Sequence, residues 1–293
     1  MTGRRVAVVV NPTAGKGRAA AAAARTRVAL AGDDVRELVG RDGAEALDLC
    51  RQAVADGVDV LVAVGGDGMA HLALQAVCGT ACPLGIVPTG TGNDLARGLG
   101  LPLDLAAAIG RLREPDVPVD AARTDAGVWW ACVLGAGFDA AVNDRANRMS
   151  WPRGRRRYDL AIVAELRSYR PLPFVLTLDG EPREVEAMLV ALGNAPSYGG
   201  GMKVCPGAVM DDGLLDVVVV GPMSRTTFLR LFPQVFAGRH VAHPSVQVFR
   251  AASVGLAAPH ANAYADGEPL GALPLTSTVV PGALRVVGAD PGT

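Results

Sequence analysis

The chain is 293 residues long, half of them hydrophobic, with a net charge of −1 and five cysteines. That length provides one large or two ordinary domains with ample core, and so balanced a charge excludes the basic excess of a general nucleic-acid binder. Cys50, Cys78, Cys82, Cys132 and Cys205 are odd in number and form no CxxC pair, which predicts reduced, partly buried thiols and a cytoplasmic compartment.

Val6–Val10 is a buried-type strand. Arg4-Arg5 before it suggests a signal peptide, but Asn11-Pro12 cuts the apolar run far too short. No run approaches the roughly twenty apolar residues of a spanning helix. The loop 11–17 has the look of a Walker phosphate loop, yet Gly17 stands where Ser or Thr must ligand Mg²⁺ and the first glycine is missing. It predicts no more than a looser phosphate-contacting turn. Ala19–Leu30 is helical by propensity, Asp34–Val39 a strand, and Gly43–Ala55 a helix with Leu47, Leu49 and Val54 as apolar positions.

Two consecutive strand–glycine-loop–helix units follow. Val58–Val64 stops at Gly65-Gly66-Asp67-Gly68, and Leu72, Leu74, Ala76 and Val77 then mark a helix. Leu84–Val87 ends at Pro88-Thr89-Gly90-Thr91-Gly92-Asn93-Asp94, with Leu95–Leu99 helical and Leu103–Leu112 a further helix. Apolar strands alternating with helices predict a parallel sheet covered on both faces, with ligands at the carboxyl ends of its strands. Glycine lets backbone amides approach a phosphate, and the helix N-terminus adds positive character. Each loop also carries a carboxylate, Asp67 and Asp94. A carboxylate beside phosphate-binding amides calls for a mediating cation such as Mg²⁺; the plainer alternative is two tight turns with Asp94 as a helix cap.

The character changes near Pro115–Pro118. Short runs dominate thereafter: Val117–Ala121, Val128–Leu134, Phe174–Leu178, Val185–Leu192, Leu214–Val220, Val246–Phe249 and Leu284–Val287, with only Tyr158–Tyr169 and Ser224–Ala237 helical. This predicts an α/β doubly wound domain over 1–116 and a β-rich, mainly antiparallel domain over 117–293. Three places in the second half could carry chemistry. Asp211-Asp212-Gly213 enters a strand and is ordinary turn chemistry or a set of oxygens for a hard cation. Asp266-Gly267-Glu268 is a turn or a proton acceptor with a metal partner. Arg153 and Arg155–Arg157 between Trp151 and Tyr158 form a solvated charge run or a contact with an anionic membrane surface. His71, His240, His243 and His260 show no metal-ligand spacing.

The fragments occur in a telling order: Asn11-Pro12, Gly-Gly-Asp-Gly at 65–68, Pro-x-Gly-Thr-x-Asn-Asp at 88–94, Gly135–Asp139, Tyr198–Met202, Asp212–Asp216 and Asp266-Gly267-Glu268. Together they resemble the diacylglycerol kinase catalytic-domain family of bacterial lipid kinases, related to sphingosine and ceramide kinases, over nearly the whole chain. The resemblance implies an α/β nucleotide-binding domain and a β-sandwich with ATP in the cleft between them. Gly65, Gly66, Asp67 and Gly68 match the nucleotide loop and Thr91 the second ATP-contacting position; Asn11 and Gly90 join them as expected nucleotide contacts. Asp67 and Asp94 match carboxylates that organise the catalytic Mg²⁺ through water. Asp266 and Glu268 fall on the motif that supplies the base for the lipid hydroxyl. Asp212, with the carbonyls of Val209 and Leu214, matches a structural Mg²⁺ site. Met69 departs from the family's usual threonine, and no threonine lies between Leu38 and Gly43.

The activity implied is transfer of the γ-phosphoryl of ATP to diacylglycerol, giving phosphatidic acid, by a cytoplasmic enzyme acting peripherally at the inner membrane face. Alternatives are a sphingoid base or another lipid, then NAD, since NAD kinases share Gly-Gly-Asp-Gly but carry Asn-Glu where Asn93-Asp94 stands here. A non-catalytic sensor would have lost one of the four carboxylates. Pairing into a homodimer stays open.

Overall fold

The computed structural model describes residues 3–13, 17–149, 151, 160–162, 164–165, 167 and 169–291. Four parallel strands, β1 (Arg5–Val10), β2 (Asp34–Leu38), β3 (Val60–Gly65) and β4 (Leu84–Pro88), lie in the order β2-β1-β3-β4. Strand periodicity assigns their side chains to opposite faces. Ala7, Val9, Leu61, Ala63 and Ile86 pack under α2 (Gly43–Ala55) and α3 (Asp67–Val77). Val6, Val8, Val10, Val62 and Val64 pack under α1 (Arg18–Ala29) and α5 (Leu105–Arg111). The doubly wound arrangement expected from the apolar runs is what forms.

This sheet does not end at β4. The late strand β16 (Leu275–Val287) pairs parallel with it at Val286–Leu84 and antiparallel with β5 (Asp116–Thr124). The sheet then continues through β13 (Ser253–Ala257), β8 (Leu172–Leu178) and β9 (Glu181–Ala187), with the short β6 (Trp129–Trp130) beside β5, making ten strands. A second, six-stranded antiparallel sheet has the order β12 (Val246–Ala251), β11 (Leu215–Val220), β10 (Leu189–Gly193), β7 (Val133–Gly137), β14 (Asn262–Ala265), β15 (Glu268–Ala272). It stacks on the far half of the first sheet around Leu134, Leu176, Leu192, Val217 and Val254. Trp130 is fully buried there and donates its indole N–H to Ser277 Oγ at 2.8 Å. The expected division at 116/117 falls on the first residues of β5.

Several elements differ from expectation. The run Val185–Leu192 is two strands, because Met188 leaves the β9 pairing and donates its N–H to Val220 O. The expected helix Ser224–Ala237 is a helix at Arg225–Leu231, capped by Ser224, followed by a 3₁₀ turn at Phe232–Ala237. Pro233 has no N–H to continue the α pattern. Helix α6 (Phe138–Arg148) and strands β13, β14 and β15 are additional. The arginines 153 and 155–157 lie outside the described residues, as do residues 158, 159, 163, 166 and 168 of the expected helix Tyr158–Tyr169, whose positions 160–162 and 164–165 are helical.

Candidate active site

Register places the first sheet's loops together. Val10 pairs with Val64 and Gly65 with Pro88, so Asn11, the 65–68 loop and the 89–94 loop leave the sheet at neighbouring carboxyl ends. The two glycine loops touch through their backbones. A Cβ on Gly90 would lie 2.7 Å from the Gly66 Cα, and one on Gly66 would lie 3.1 Å from the Gly90 Cα. Asn93 adopts the left-handed conformation (φ 53°) at the start of α4 (Asp94–Gly98) and grips Gly90, accepting from its N–H at 3.0 Å and donating to its carbonyl at 3.1 Å.

Asp67 opens α3, whose N-terminal Gly66 provides no side-chain cap. Its carboxylate accepts from the amides of Asn93 at 2.9 Å and Asp94 at 2.5 Å, locking one loop to the other. Asp94 in turn accepts from the amides of Gly199 at 2.6 Å and Gly200 at 2.8 Å. Those amides belong to a tight loop closed by reciprocal Tyr198–Met202 backbone bonds, with Gly199, Gly200 and Gly201 all left-handed. Side chains at three successive positive φ values would be strained. The Tyr-Gly-Gly-Gly-Met segment is thus a clamp on Asp94, a role sequence reasoning did not assign; the glycine triplet was the only signal for it.

Asp67 and Asp94 are close enough that a Cβ on Gly92 would stand 2.6 Å from one carboxylate and 3.4 Å from the other. Burial pushes the Asp94 carboxyl up to about 6, and the charge of Asp67 adds to the rise, while the two glycine amides oppose it. Paired, partly desolvated carboxylates at the mouth of two glycine loops are a donor set for a hard cation, so the residues present fit a catalytic Mg²⁺.

Across the cleft, Asp266 (φ 52°) and Gly267 (φ 86°) form the two-residue turn between β14 and β15, with Ala265 paired to Glu268. Asp266 accepts from the amides of Ala131 and Cys132 at 2.9 Å and of Val133 at 3.3 Å. Glu268 is exposed, and its Oε1 faces Gly68, where a Cβ would come within 3.2 Å. The acidic turn of the second sheet thereby meets the first glycine loop. Asn11 and Thr91 are exposed on the same rim, Asn11 accepting from the Thr13 amide at 3.1 Å and hydroxyl at 2.8 Å.

Asp212 is held differently. Its Oδ1 accepts from the Leu214 amide at 3.0 Å, and its Oδ2 pairs with Arg250 Nη2. Arg250 Nε also reaches Asp216 at 3.1 Å. The positive charge facing this turn is therefore a guanidinium, and a cation bound by Asp212 with the carbonyls of Val209 and Leu214 would compete with it. Among the described residues no cluster of three or more His, Cys, Asp or Glu side chains is arranged for a metal.

Two family models match the chain. The diacylglycerol kinase catalytic domain covers residues 5–124, and the YegS C-terminal NAD kinase beta sandwich-like domain covers residues 132–288. A diacylglycerol kinase of Mycobacterium tuberculosis is 44% identical over 97% of this chain and 94% of its own length. The crystal structure of a diacylglycerol kinase from Bacillus anthracis superposes with a TM-score of 0.74 at 22% identity, covering 99% of this chain and 98% of that one. An NAD kinase from Archaeoglobus fulgidus in complex with ATP superposes at 0.55 and 14% identity over 98% and 94% of the two chains, a likeness of fold alone.

Proposed function

The chain belongs to the diacylglycerol kinase catalytic-domain family, with the YegS-type C-terminal domain, and on that premise we propose that it phosphorylates the hydroxyl of diacylglycerol with ATP and Mg²⁺, giving phosphatidic acid and ADP. The observation that supports this best is the meeting of four carboxylates across one cleft: Asp67 and Asp94 beside the glycine loops, Asp266 and Glu268 on the facing turn. Phosphoryl transfer needs positioning and charge neutralisation more than covalent chemistry. The 65–68 and 89–94 amides would hold the phosphates, with Asn11, Gly90 and Thr91 at the nucleotide's edge. Bound Mg²⁺ would neutralise the phosphoryl oxygens. Asp67 and Asp94 would anchor it, their geometry fixed by four backbone amides. The proton of the acceptor hydroxyl goes to the Asp266–Glu268 turn, where Glu268 is exposed and the oxygens of Asp266 are already engaged by amides.

The Met69 departure is compatible with this reading. Its side chain packs on Gly65, where a Cβ would fall 2.4 Å from the Met69 Cβ, and the phosphate-facing groups are backbone. No helix among the described residues is long and apolar enough to cross a membrane; we place the enzyme peripherally at the inner membrane face, where its acceptor resides. Whether it pairs into a homodimer is decided by sedimentation of the purified protein.

Radiolabelled ATP with Mg²⁺ tests the function, with detergent-dispersed diacylglycerol, sphingosine and monoacylglycerol, and NAD, offered in parallel. Label in phosphatidic acid, lost in Asp67→Asn and Glu268→Gln, is the expected result. Label in a different acceptor would replace the substrate, and no transfer to any acceptor would overturn the reading.

A further inference from the structure

We infer that His71 is a positioning residue that holds the Asp266 turn against the nucleotide-loop helix; the inference rests on the kinase reading above. Asp67, His71 and Gln75 follow one another at intervals of four along α3, so they share one helix face. Each member of that face meets a different part of the structure. Asp67 grips the second glycine loop, His71 Nδ1 stands 3.6 Å from Asp266 Oδ2, and Gln75 bonds the backbone of Trp129.

The hydrogen-bond pattern fixes the imidazole. Gln75 Oε1 accepts from Trp129 N at 3.0 Å and its Nε2 donates to Trp129 O at 2.7 Å, so the amide has one orientation. The remaining Nε2 proton is left for His71 Nε2 at 3.2 Å and the His71 carbonyl at 3.3 Å. Nε2 of the ring is then the acceptor, and Nδ1 carries the ring proton. Nδ1 is buried with no hydrogen-bond partner among the described residues, and the histidine and Asp266 side chains are 11% and 10% exposed. A buried donor without an acceptor is costly. An acceptor stands 3.6 Å away in Asp266 Oδ2, the carboxylate oxygen that takes the amide of Ala131 while Oδ1 takes those of Cys132 and Val133. A small movement of the turn closes the 3.6 Å gap. His71 thus sets how close the acidic turn comes to Asp67, and Gln75 keeps its ring aimed.

The test compares wild-type, His71→Leu and His71→Asn enzymes in the phosphorylation assay. An asparagine amide can offer its N–H close to where Nδ1 stands, while leucine keeps bulk and removes the donor. We expect His71→Leu to lose about 10²-fold in kcat, the scale of a 1 Å misplacement, with KM for ATP changed less than threefold. His71→Asn should recover at least tenfold of that loss. Wild-type kcat in His71→Leu, a parallel collapse of kcat and ATP affinity, or no recovery in His71→Asn would each overturn the inference. Should His71→Leu fail to fold, ¹⁵N spectra of histidine-labelled native protein decide: Nδ1 protonated and Nε2 bare is expected, and the reverse tautomer refutes it. A wild-type enzyme inactive on every lipid would instead refute the kinase reading itself.

Discussion

Single side chains in this protein do work that depends on what faces them. Asp94 is a carboxyl whose burial and whose neighbour Asp67 lift it to about 6 from 3.8. Its folded value lies above its unfolded one, so the metal-free fold loses stability from this group as pH rises from about 4 through about 6. Cation binding needs the ionised form. At subsaturating Mg²⁺, kcat/KM should therefore fall as pH drops below about 6, and higher Mg²⁺ should move that limb to lower pH; a flat profile between 5 and 7 would refute the role. Arg250 makes a second case. Burial pushes the Asp216 carboxyl up and Arg250 opposes it, while the same guanidinium holds Asp212. Replacing it with methionine leaves the two carboxylates facing each other. Arg250→Met should cost roughly 1–3 kcal/mol, and Mg²⁺ should raise the variant's Tm more than the wild type's. An equal rise in both would refute the idea that Arg250 occupies the place of a cation at this turn.

At the scale of elements, the site is made where backbones approach too closely for side chains. Gly66 and Gly90 bring two strand-to-helix loops into contact, Asp67 ties them by accepting from the Asn93 and Asp94 amides, and Asn93 braces Gly90 within the second loop. Gly90→Ala would drive a methyl to 2.7 Å from the Gly66 Cα and 2.8 Å from Asn93 Oδ1. Backbone on one side and a doubly bonded asparagine on the other give little room to relax. The expected cost is about 1–3 kcal/mol, together with at least tenfold weaker nucleotide binding, measured by denaturant titration and equilibrium dialysis. Unchanged affinity would show that the loops act independently. The Tyr198–Met202 clamp works by the same means, three left-handed glycines turning two amides onto Asp94.

Across the whole molecule, β16 is the strand that joins the parts. Its end lies parallel to β4 and its body lies along β5 and β13, so the α/β half borrows its last strand from the far end of the chain. Val286 is fully buried within the core of that half. Val286→Asp would place a charge there without a partner, which folding tolerates poorly. The whole protein should then lose stability in one cooperative transition by circular dichroism; separate melting of the two halves would show that the junction is weak.

Length, periodicity and glycine placement determined much of this from sequence alone. Val6–Val10, Val60–Gly65 and Leu84–Pro88 are strands because uninterrupted apolar β-branched runs suit a sheet covered on both faces, and α2 was legible to the residue. The ordered Gly-Gly-Asp-Gly, Gly-Thr-Gly-Asn-Asp and Asp-Gly-Glu fragments located the two glycine loops and the acidic turn. What they could not state is which groups meet, since hydrogen bonds spanning 105 residues between Asp94 and Gly199, or 135 between Asp266 and Ala131, leave no local periodicity. The same holds for β16, whose partners β4, β5 and β13 are scattered along the sequence. Tertiary structure alone decided those pairings, because each depends on the closing of long loops around a shared core.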